Sequence, residues 1–389
     1  MKQVRIFFMK LMIFSLPLMF AFSPLLFSGE SINSTNVARM QQSKDVLFGT
    51  EYSEATYRYY KSEMTRLMNP EVLILGDSRP LQIRSSFFKD DITVYNASYS
   101  VINTEDMKYF LESQKNSNIR IVIISLSHFS FNANFADIIT PTHDEYVNPI
   151  RGNGLPIPTV AKFILKDMAD NKLGIRQYIS TLFEVNSIGM NAKLNKNGML
   201  PDGSFFYGNT YATCDTQPDP LPRLEDALNR ISEGNMRFQY GKHANPKAFQ
   251  SLESFLSYCS DNEIYVIAFA PSYAPSINDA MYARGEDYQY QVEMLEKIPS
   301  IFDKYGFEFY DYTNATHLGC TDFYYLDGFH GGDVVYLRMF IDMIEQGSLL
   351  GEICDVQKLR LIDSNKFSDI RIFSTLQDYF TSISLNDNK

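Results

Sequence analysis

The chain has 389 residues, of which 45% are hydrophobic, and its formal net charge is −11 at neutral pH. This length allows a large buried core in two or three domain-sized units. The acidic balance disfavours attraction to nucleic-acid phosphates and to anionic lipid headgroups, and we exclude nucleic acid as a partner on this ground.

The N-terminus combines positive charge with an apolar run. Lys2, Arg5 and Lys10 precede the 18 uncharged residues 11–28. A run of this length suits a membrane-spanning helix or a secretory signal. Because the basic residues come first, we expect the N-terminal end to stay in the cytoplasm and the rest of the chain to be exported. No clean small-x-small cleavage site is found, so an uncleaved anchor over residues 1–29 is preferred to a cleaved signal.

A polar segment follows the N-terminal run, and after it predicted strands alternate with predicted helices. Residues 30–67 are polar and Tyr-rich, and we interpret them as a stalk and a leading helix. Apolar strands are predicted at residues 72–75, 93–95, 119–126, 264–270 and 307–310, and helices at residues 104–115, 246–260, 288–305 and 334–344. Continuous apolar strands alternating with helices are typical of a parallel sheet covered on both faces. The sequence therefore predicts a three-layer α/β/α domain over residues 68–346.

A long insertion interrupts this domain at residues 131–245, between the third and fourth strands. It contains one amphipathic helical stretch, at residues 159–182, and many prolines. Connections of this length are uncommon unless they carry a function. An insertion after a strand's carboxyl end can cap a site at that edge; a partner-binding or purely structural insertion remains the alternative. Residues 347–389 form a C-terminal tail without an assigned role.

Cysteine and histidine spacing bears on disulfides and metals. The chain has an even number of cysteines: Cys214, Cys259, Cys320 and Cys354. One or two disulfides could therefore form in an exported protein, although a free buried thiol is preferred for Cys259. No Cys-x-x-Cys pair and no His-x-x-x-His pair occur. We therefore predict no metal and no cofactor.

Two short motifs hold the residue types of a nucleophilic site. The first, Ile-Leu-Gly-Asp-Ser-Arg at residues 74–79, puts Ser78 just past a predicted buried strand. The second lies in the Gly-rich loop Asp-Gly-Phe-His-Gly-Gly-Asp, which contains Asp327 and His330. A serine hydroxyl needs a base to accept its proton, and the base needs a group that orients it. We expect these three residues to meet at the carboxyl edge of the sheet.

Ser78 and Asp327 also have structural interpretations. Asp77 and Ser78 are good helix caps, so Ser78 has a capping alternative. Asp327 precedes Gly328 and suits a turn. Asp333, at the end of the loop, is expected to cap the final helix of the domain.

At these motifs the chain resembles the SGNH (GDSL-like) hydrolase superfamily, and within it the membrane-anchored, extracytoplasmic members of the DltD-like and alginate-acetylation type. The resemblance implies the strand order 2-1-3-4-5 and a triad of Ser78, Asp327 and His330. The family's second block, Asn-x-Gly, corresponds to Asn96-Ala-Ser98, with serine in the place of glycine. The third block, Gly-x-Asn-Asp, is missing from this chain.

Further binding roles follow from the same motifs. The backbone N–H groups of Ser78 and Ser98 are the expected oxyanion donors, because fixed amides need no reorganisation when charge develops. The Asn96 side chain is expected to be structural, with a role in the site as the alternative. Arg79 follows the nucleophile directly and is expected either to bind an anionic group by a bidentate contact or to form a surface ion pair.

These expectations combine into one functional hypothesis. The chain is predicted to be an extracytoplasmic O-acyltransferase or esterase that acts on an acylated cell-envelope glycan through an acyl-serine intermediate. Its expected partners are the polysaccharide or its acyl donor, a membrane-bound acyltransferase, and the membrane through the N-terminal helix. The alternative is a non-catalytic envelope scaffold that binds glycan or the acyltransferase.

Overall fold

A computed structural model describes residues 2–53, 56–114, 117–135 and 153–383. The end of the helix predicted at 104–115, residues 136–152 of the insertion and residues 384–389 of the tail lie outside the described residues.

The described chain alternates helices and short strands. The strands are β1 (Leu47–Phe48), β2 (Val72–Leu75), β3 (Val94–Asn96), β4 (Ile121–Ser125), β5 (Ser187–Ile188), β6 (Asn197–Met199), β7 (Phe205–Tyr207), β8 (Tyr265–Ala270) and β9 (Glu308–Asp311). The helices up to the fourth core strand are α1 (Lys2–Phe27), α2 (Ser34–Gln41), α3 (Thr56–Met68), α4 (Thr104–Ser113), α5 (Ile157–Ala169), α6 (Ile175–Ser180), α7 (Met190–Asn195), α8 (Gly208–Thr216), α9 (Leu221–Glu233) and α10 (Pro246–Asp261). After β8 come α11 (Pro275–Tyr282), α12 (Gln289–Tyr305), α13 (Asp333–Glu345), α14 (Leu350–Ile353), α15 (Val356–Ser364) and α16 (Leu376–Ser382).

The main sheet has five parallel strands in the order β3-β2-β4-β8-β9. Leu73 pairs with Tyr95 on one side and Val122 on the other, and Ile123 pairs with Ile267. Counted along the core, this is the predicted order 2-1-3-4-5, which is confirmed. The central strands are buried on both faces, which is why they appear in the sequence as unbroken apolar runs.

Helices cover both faces of this sheet, so the predicted α/β class with three layers is confirmed. In one layer α10 packs against both α4 and α12. In the other, α13 packs against α15 and against the turn that follows β2. The α4 helix begins behind Asn103, whose side chain accepts a hydrogen bond from the N–H of Asp106, and α10 begins behind Asn245, which caps Lys247 in the same way.

A second, mixed sheet has the order β5-β1-β6-β7 and was not predicted. Strand β1 lies before the main domain, in the segment interpreted as a stalk. It pairs parallel with β5 and antiparallel with β6, both of which belong to the insertion. The insertion therefore folds against the chain that precedes the main sheet.

The insertion also packs into the main core. Phe206, Tyr211 and Leu224 belong to the same buried cluster as the strands of the main sheet. Its helical stretch forms two helices, α5 and α6, because the chain turns between them at Asn171, which has a φ of +55°. The single helical stretch expected at residues 159–182 is therefore corrected to two.

The first helix carries many large apolar side chains on its surface, including Phe7, Met12, Phe14 and Met19. Its C-terminal end is packed, since Leu25 joins a small buried cluster with Val160, Ile164 and Tyr178. Among the helices of the described chain, none meets the length and apolarity that a membrane crossing requires.

All four cysteines are buried and free of disulfides. The free thiol predicted for Cys259 is confirmed, and neither of the possible disulfides is formed. Burial raises the pKa of the Cys259 thiol and of the Cys354 thiol, so both are held in the protonated state.

Candidate active site

Strand β2 delivers Ser78 to the carboxyl edge of the main sheet. The strand ends at Leu75, and a turn through Gly76 and Asp77 leads to Ser78 and a short 3-10 helix, Arg79–Gln82. A side chain at position 76 would put its Cβ 2.8 Å from Pro80 Cγ and 2.9 Å from Ser125 Cβ. Glycine is therefore required for the turn to lie against the end of β4.

The three predicted triad residues meet at this edge. The Ser78 hydroxyl lies 2.8 Å from Nε2 of His330, although the two residues are 252 positions apart in the chain. His330 Nδ1 lies 2.8 Å from Oδ2 and 3.0 Å from Oδ1 of Asp327. An unbroken hydrogen-bonded series thus runs from hydroxyl to imidazole to carboxylate, with the imidazole oriented so that Nε2 can accept the serine proton.

The loop that holds His330 is fixed by Asp327 itself. Asp327 Oδ1 accepts the backbone N–H groups of Phe329, at 3.1 Å, and of His330, at 2.8 Å. Between Asp327 and Phe329, Gly328 has a φ of +77°, a conformation that favours glycine. The turn role proposed as an alternative for Asp327 is therefore present together with its contact to the imidazole.

Charge coupling within the pair shifts both pKa values. Burial by itself would raise the pKa of Asp327, but the neighbouring His330 and the two backbone N–H donors outweigh it, and the pKa lies below its usual range. Burial likewise would lower the pKa of His330, but the Asp327 carboxylate outweighs it and raises the pKa. Asp327 is thus ionised at neutral pH and favours an imidazolium when His330 accepts a proton.

The capping alternative for Ser78 is wrong. Its side chain makes no capping hydrogen bond to the 3-10 helix that it precedes. Asp77 does this instead, since its Oδ1 accepts the backbone N–H of Arg79 at 2.9 Å. The Ser78 hydroxyl therefore makes its hydrogen bond to His330 and not to the 3-10 helix.

Arg79 is fully buried beneath the nucleophile, which corrects the expectation of a surface ion pair. Its Nε lies 3.5 Å from Asp77 Oδ2, and its Nη2 donates to Ser127 Oγ. The guanidinium also lies over the rings of Tyr273 and Phe329, 4.9 Å and 4.7 Å from their centroids. Because the Arg79 side chain has no exposed surface and has partners on several sides, the structure does not support its direct contact with an anionic substrate.

The second-block residues Asn96 and Ser98 lie beside the turn that carries Ser78. Asn96 Nδ2 donates to the carbonyls of Pro80 and Ile83, at 2.8 Å and 3.0 Å, and its Oδ1 accepts the N–H of Ser98 at 3.0 Å. Asn96 thus has the structural contacts expected of it. The N–H of Ser98 is engaged by a side chain, whereas that of Ser78 has no acceptor within the described residues and is free for an oxyanion.

The position of the missing third block is occupied by a different network. Ser127 donates from Oγ to Asp77 Oδ2 at 2.6 Å, which holds the Asp77 carboxylate beneath the turn. His128 is buried, hydrogen-bonds to the Tyr273 hydroxyl and stacks on Tyr290. Burial, reinforced by Arg79, lowers the pKa of His128 well below its usual range, so this imidazole is neutral. None of these contacts supplies a side-chain oxyanion donor.

Two aromatic residues lie beside the triad, and the sequence analysis assigned neither of them to the site. The Phe329 ring centroid lies 5.0 Å from that of His330, and the Tyr207 centroid lies 6.4 Å from it. Tyr207 comes from β7 of the insertion, so the insertion contributes a side chain next to the catalytic candidates. Burial raises the pKa of Tyr207 well above its usual value, with a further contribution from Asp327, so its hydroxyl keeps its proton. The aromatic run at residues 205–207 is visible in the sequence, but no local pattern ties it to His330.

No group of three or more His, Cys, Asp or Glu side chains in the described ranges is arranged to hold a metal ion. No protein-family model, curated protein or solved structure matches this chain.

Proposed function

We propose that this protein is an extracytoplasmic serine acyl-transfer enzyme of the SGNH type, either an O-acyltransferase or an esterase. The observation that carries the proposal is the hydrogen-bonded series of Ser78, His330 and Asp327 at the carboxyl edge of a parallel sheet. Ligands bind at this edge in open α/β folds, and a hydroxyl, an imidazole and a carboxylate in this order form the arrangement that activates a serine.

The geometry supports a two-step reaction. In the first step Ser78 Oγ attacks the carbonyl carbon of an ester while His330 Nε2 accepts the serine proton. The backbone N–H of Ser78 hydrogen-bonds the developing oxyanion, and Asp327 stabilises the imidazolium. His330 then returns the proton to the leaving alcohol, and an acyl-serine remains. In the second step water or a sugar hydroxyl gives its proton to His330 and takes the acyl group from Ser78, which recovers its hydroxyl proton from His330.

An envelope glycan as the acyl donor or acceptor is supported by the resemblance and by the aromatic rings of Tyr207 and Phe329 beside the triad. The flat face of an aromatic ring suits the C–H faces of sugars, and Tyr207 adds a hydroxyl that can hydrogen-bond. Export, anchoring through α1 and cooperation with a membrane-bound acyltransferase rest on the N-terminal charge pattern and on the resemblance. The four free cysteines add no support for an oxidising compartment.

A fluorophosphonate probe tests the proposal. The full chain should be labelled at one serine, and Ser78→Ala should abolish both labelling and ester turnover without a change in fold. Ser254→Ala is the matched control, because Ser254 is an exposed serine whose hydroxyl only meets Lys108. It should be labelled like the unmodified chain.

One observation favours the scaffold alternative. Only the N–H of Ser78 is free as an oxyanion donor among the groups expected in that role, since Ser98 donates to Asn96. Loss of one such donor typically lowers kcat by about two to three orders of magnitude. If the folded protein never labels and Ser78→Ala keeps full biological activity in the cell, the scaffold replaces the enzyme.

A further inference from the structure

An apolar surface lies on the insertion at the end of α1. Five large apolar side chains of the insertion are between 41% and 82% exposed: Ile157 and Leu165 on α5, Ile175 on α6, and Phe183 and Val185 just after it. We call these five residues the insertion face. Single exposed apolar residues are ordinary on protein surfaces, whereas larger apolar patches mark contact sites. Of these five, Leu165 and Ile175 line one cleft.

The insertion face is continuous with α1. The helix packs on α5, α6 and the turn that contains Phe183. Between them lies an apolar cleft of about 370 Å³, lined by Phe22 and Leu25 from α1, by Ala161, Ile164, Leu165 and Met168 from α5, and by Ile175, Tyr178 and Ile179 from α6. The exposed apolar side chains of α1 thus lead through this cleft onto the insertion face.

Four basic side chains lie on or beside α5 and α6, the two helices that carry Leu165 and Ile175. Lys162 and Lys166 lie on α5 close to Leu165, and Lys172 and Arg176 flank the start of α6. All four are exposed, and none has an ion-pair partner within the described residues. Residues 162–176 contain these four basic side chains and two acidic ones, Asp167 and Asp170, so the stretch has a formal charge of +2. The whole chain has a formal charge of −11, so this stretch is a local departure from the acidic balance. Apolar side chains bordered by lysine and arginine are typical of helices that lie at a membrane surface, where the basic heads reach lipid phosphates.

We propose that the insertion face lies in the interfacial layer of a lipid bilayer, beside the end of α1, and that the cleft between them takes a lipid acyl chain. Contact with the acyl region removes the exposed apolar area from water, while the four basic side chains stay at the headgroups. The proposed membrane contact goes beyond the proposed acyl transfer and does not depend on Ser78. It adds a second, insertion-borne contact to the anchoring proposed for α1, and it fixes which side of the molecule faces the membrane.

Depth-dependent fluorescence quenching tests the proposal on the full chain. The four native cysteines are buried, so an environment-sensitive maleimide should react selectively with one introduced on the surface. Leu165→Cys and Phe183→Cys report on the insertion face, Phe14→Cys on α1, and Leu361→Cys, at a 62% exposed position on α15, is the matched control. The labelled proteins are reconstituted in phosphatidylcholine–phosphatidylglycerol vesicles with brominated acyl chains.

Quenching at positions 165 and 183 should exceed that at position 361 by about threefold or more, as expected for side chains in the acyl boundary. Equal quenching at 165, 183 and 361 overturns the proposal. If position 14 is quenched but 165 and 183 are not, α1 anchors the chain and the insertion face does not touch lipid. If native membranes protect positions 165 and 183 from water but the reconstituted vesicles do not, another protein covers the face in the native membrane. The lipid proposal is then likewise overturned.

A second pair of variants separates apolar contact from mere proximity. Leu165→Asp, added to Phe183→Cys, should reduce the quenching at position 183, because a carboxylate on the face opposes its insertion. Leu361→Asp in the same background should leave that quenching unchanged. Unaltered quenching in the Leu165→Asp variant, with its fold intact by circular dichroism, shows that Leu165 and Phe183 do not insert together, and it overturns the proposal that the face enters the bilayer as one surface.

Discussion

At the scale of single residues, the pairing of Asp327 with His330 decides how the candidate site responds to pH. His330 acts as a base only when it is neutral, and the Asp327 carboxylate raises its pKa. Below that pKa the imidazole is already protonated and cannot accept the Ser78 proton. The rate must therefore rise with pH through the His330 pKa, which lies above the ordinary histidine value of about 6.5.

We predict that Asp327→Asn shifts this limb of the pH profile. Without the carboxylate the pKa of His330 falls, so the rise of kcat/KM should move to lower pH. The maximal rate should fall by on the order of 10⁴, because the amide no longer holds the useful tautomer or stabilises the imidazolium. Measurement of kcat/KM for an activated ester from pH 5 to 9 checks both effects.

Asp303→Asn, at an exposed position on α12, should leave the profile unchanged. An Asp327→Asn profile with its limb at the original pH would mean that His330 is not the titrating base.

At the scale of elements, Asn96 at the end of β3 fastens the turn that carries Ser78. Its amide donates to the carbonyl of Pro80, inside the 3-10 helix, and to that of Ile83, just after it, and its side-chain carbonyl accepts the N–H of Ser98. A single buried side chain therefore joins the carboxyl ends of two neighbouring strands. The free N–H of Ser78 lies in the turn that these bonds hold in place.

We predict that Asn96→Ala lowers the free energy of unfolding by about 3 kcal/mol. It leaves the carbonyl of Ile83 and the N–H of Ser98 without partners, and it removes one of the two donors to the carbonyl of Pro80, which keeps the N–H of Ile83. Ester turnover should fall as well, since the Ser78 amide loses its fixed position. Urea denaturation and steady-state kinetics measure the two effects. Asn209→Ala, at an exposed site with one long hydrogen bond of 3.4 Å, should change the free energy of unfolding by less than about 0.5 kcal/mol. Comparable values for the two variants would contradict the fastening role.

At the scale of the whole molecule, one buried ion pair joins the main domain, the insertion and the tail. Arg84 Nη2 lies 2.6 Å from Asp333 Oδ1, and neither side chain is exposed by more than 2%. The expectation that Asp333 caps the last helix of the domain is wrong, because Gly332 is the capping position and Asp333 is buried in the first turn.

Partners from distant parts of the chain complete this network. The insertion supplies Ser204 and Tyr211, whose side-chain oxygens lie 2.8 Å and 2.9 Å from the Arg84 guanidinium. The tail supplies Tyr379, whose hydroxyl donates to Asp333. The pKa of Arg84 is raised, since the attraction of Asp333 outweighs the opposing effect of burial. The tail, left without a role by the sequence, thus helps to satisfy a charge in the core.

We predict a graded loss of stability when this network is cut. Arg84→Met leaves a buried carboxylate without its counter-charge and should lower the free energy of unfolding by about 3–5 kcal/mol. Tyr379→Phe removes one donor to the same carboxylate and should cost about 1–3 kcal/mol. Gln377→Ala, on the exposed side of α16, is the control and should stay within about 0.5 kcal/mol. If denaturant unfolding gives Arg84→Met the same small change in the free energy of unfolding as the control, the ion pair does not join these parts.

The fold class could be predicted from the amino-acid sequence alone, and the resemblance correctly implied the strand order of the main sheet. Apolar runs such as residues 72–75 and the helices between them are local patterns, set by which faces of each element are buried. Given that class, the assembly of Ser78, Asp327 and His330 was also predictable, because the carboxyl ends of parallel strands share one edge. The resemblance supplied the roles of these residues, and strand ends differed from the predicted ones by up to two positions.

The surroundings of these residues could be learned only from the folded molecule. Sequence cannot show that Arg79 is buried under Tyr273, that Ser98 donates its N–H to Asn96, or that Tyr207 lies beside His330. Nor does it show that β1 pairs with strands about 140 residues further on. Each of these contacts joins segments distant in the chain, and each depends on packing and burial, which no local periodicity encodes.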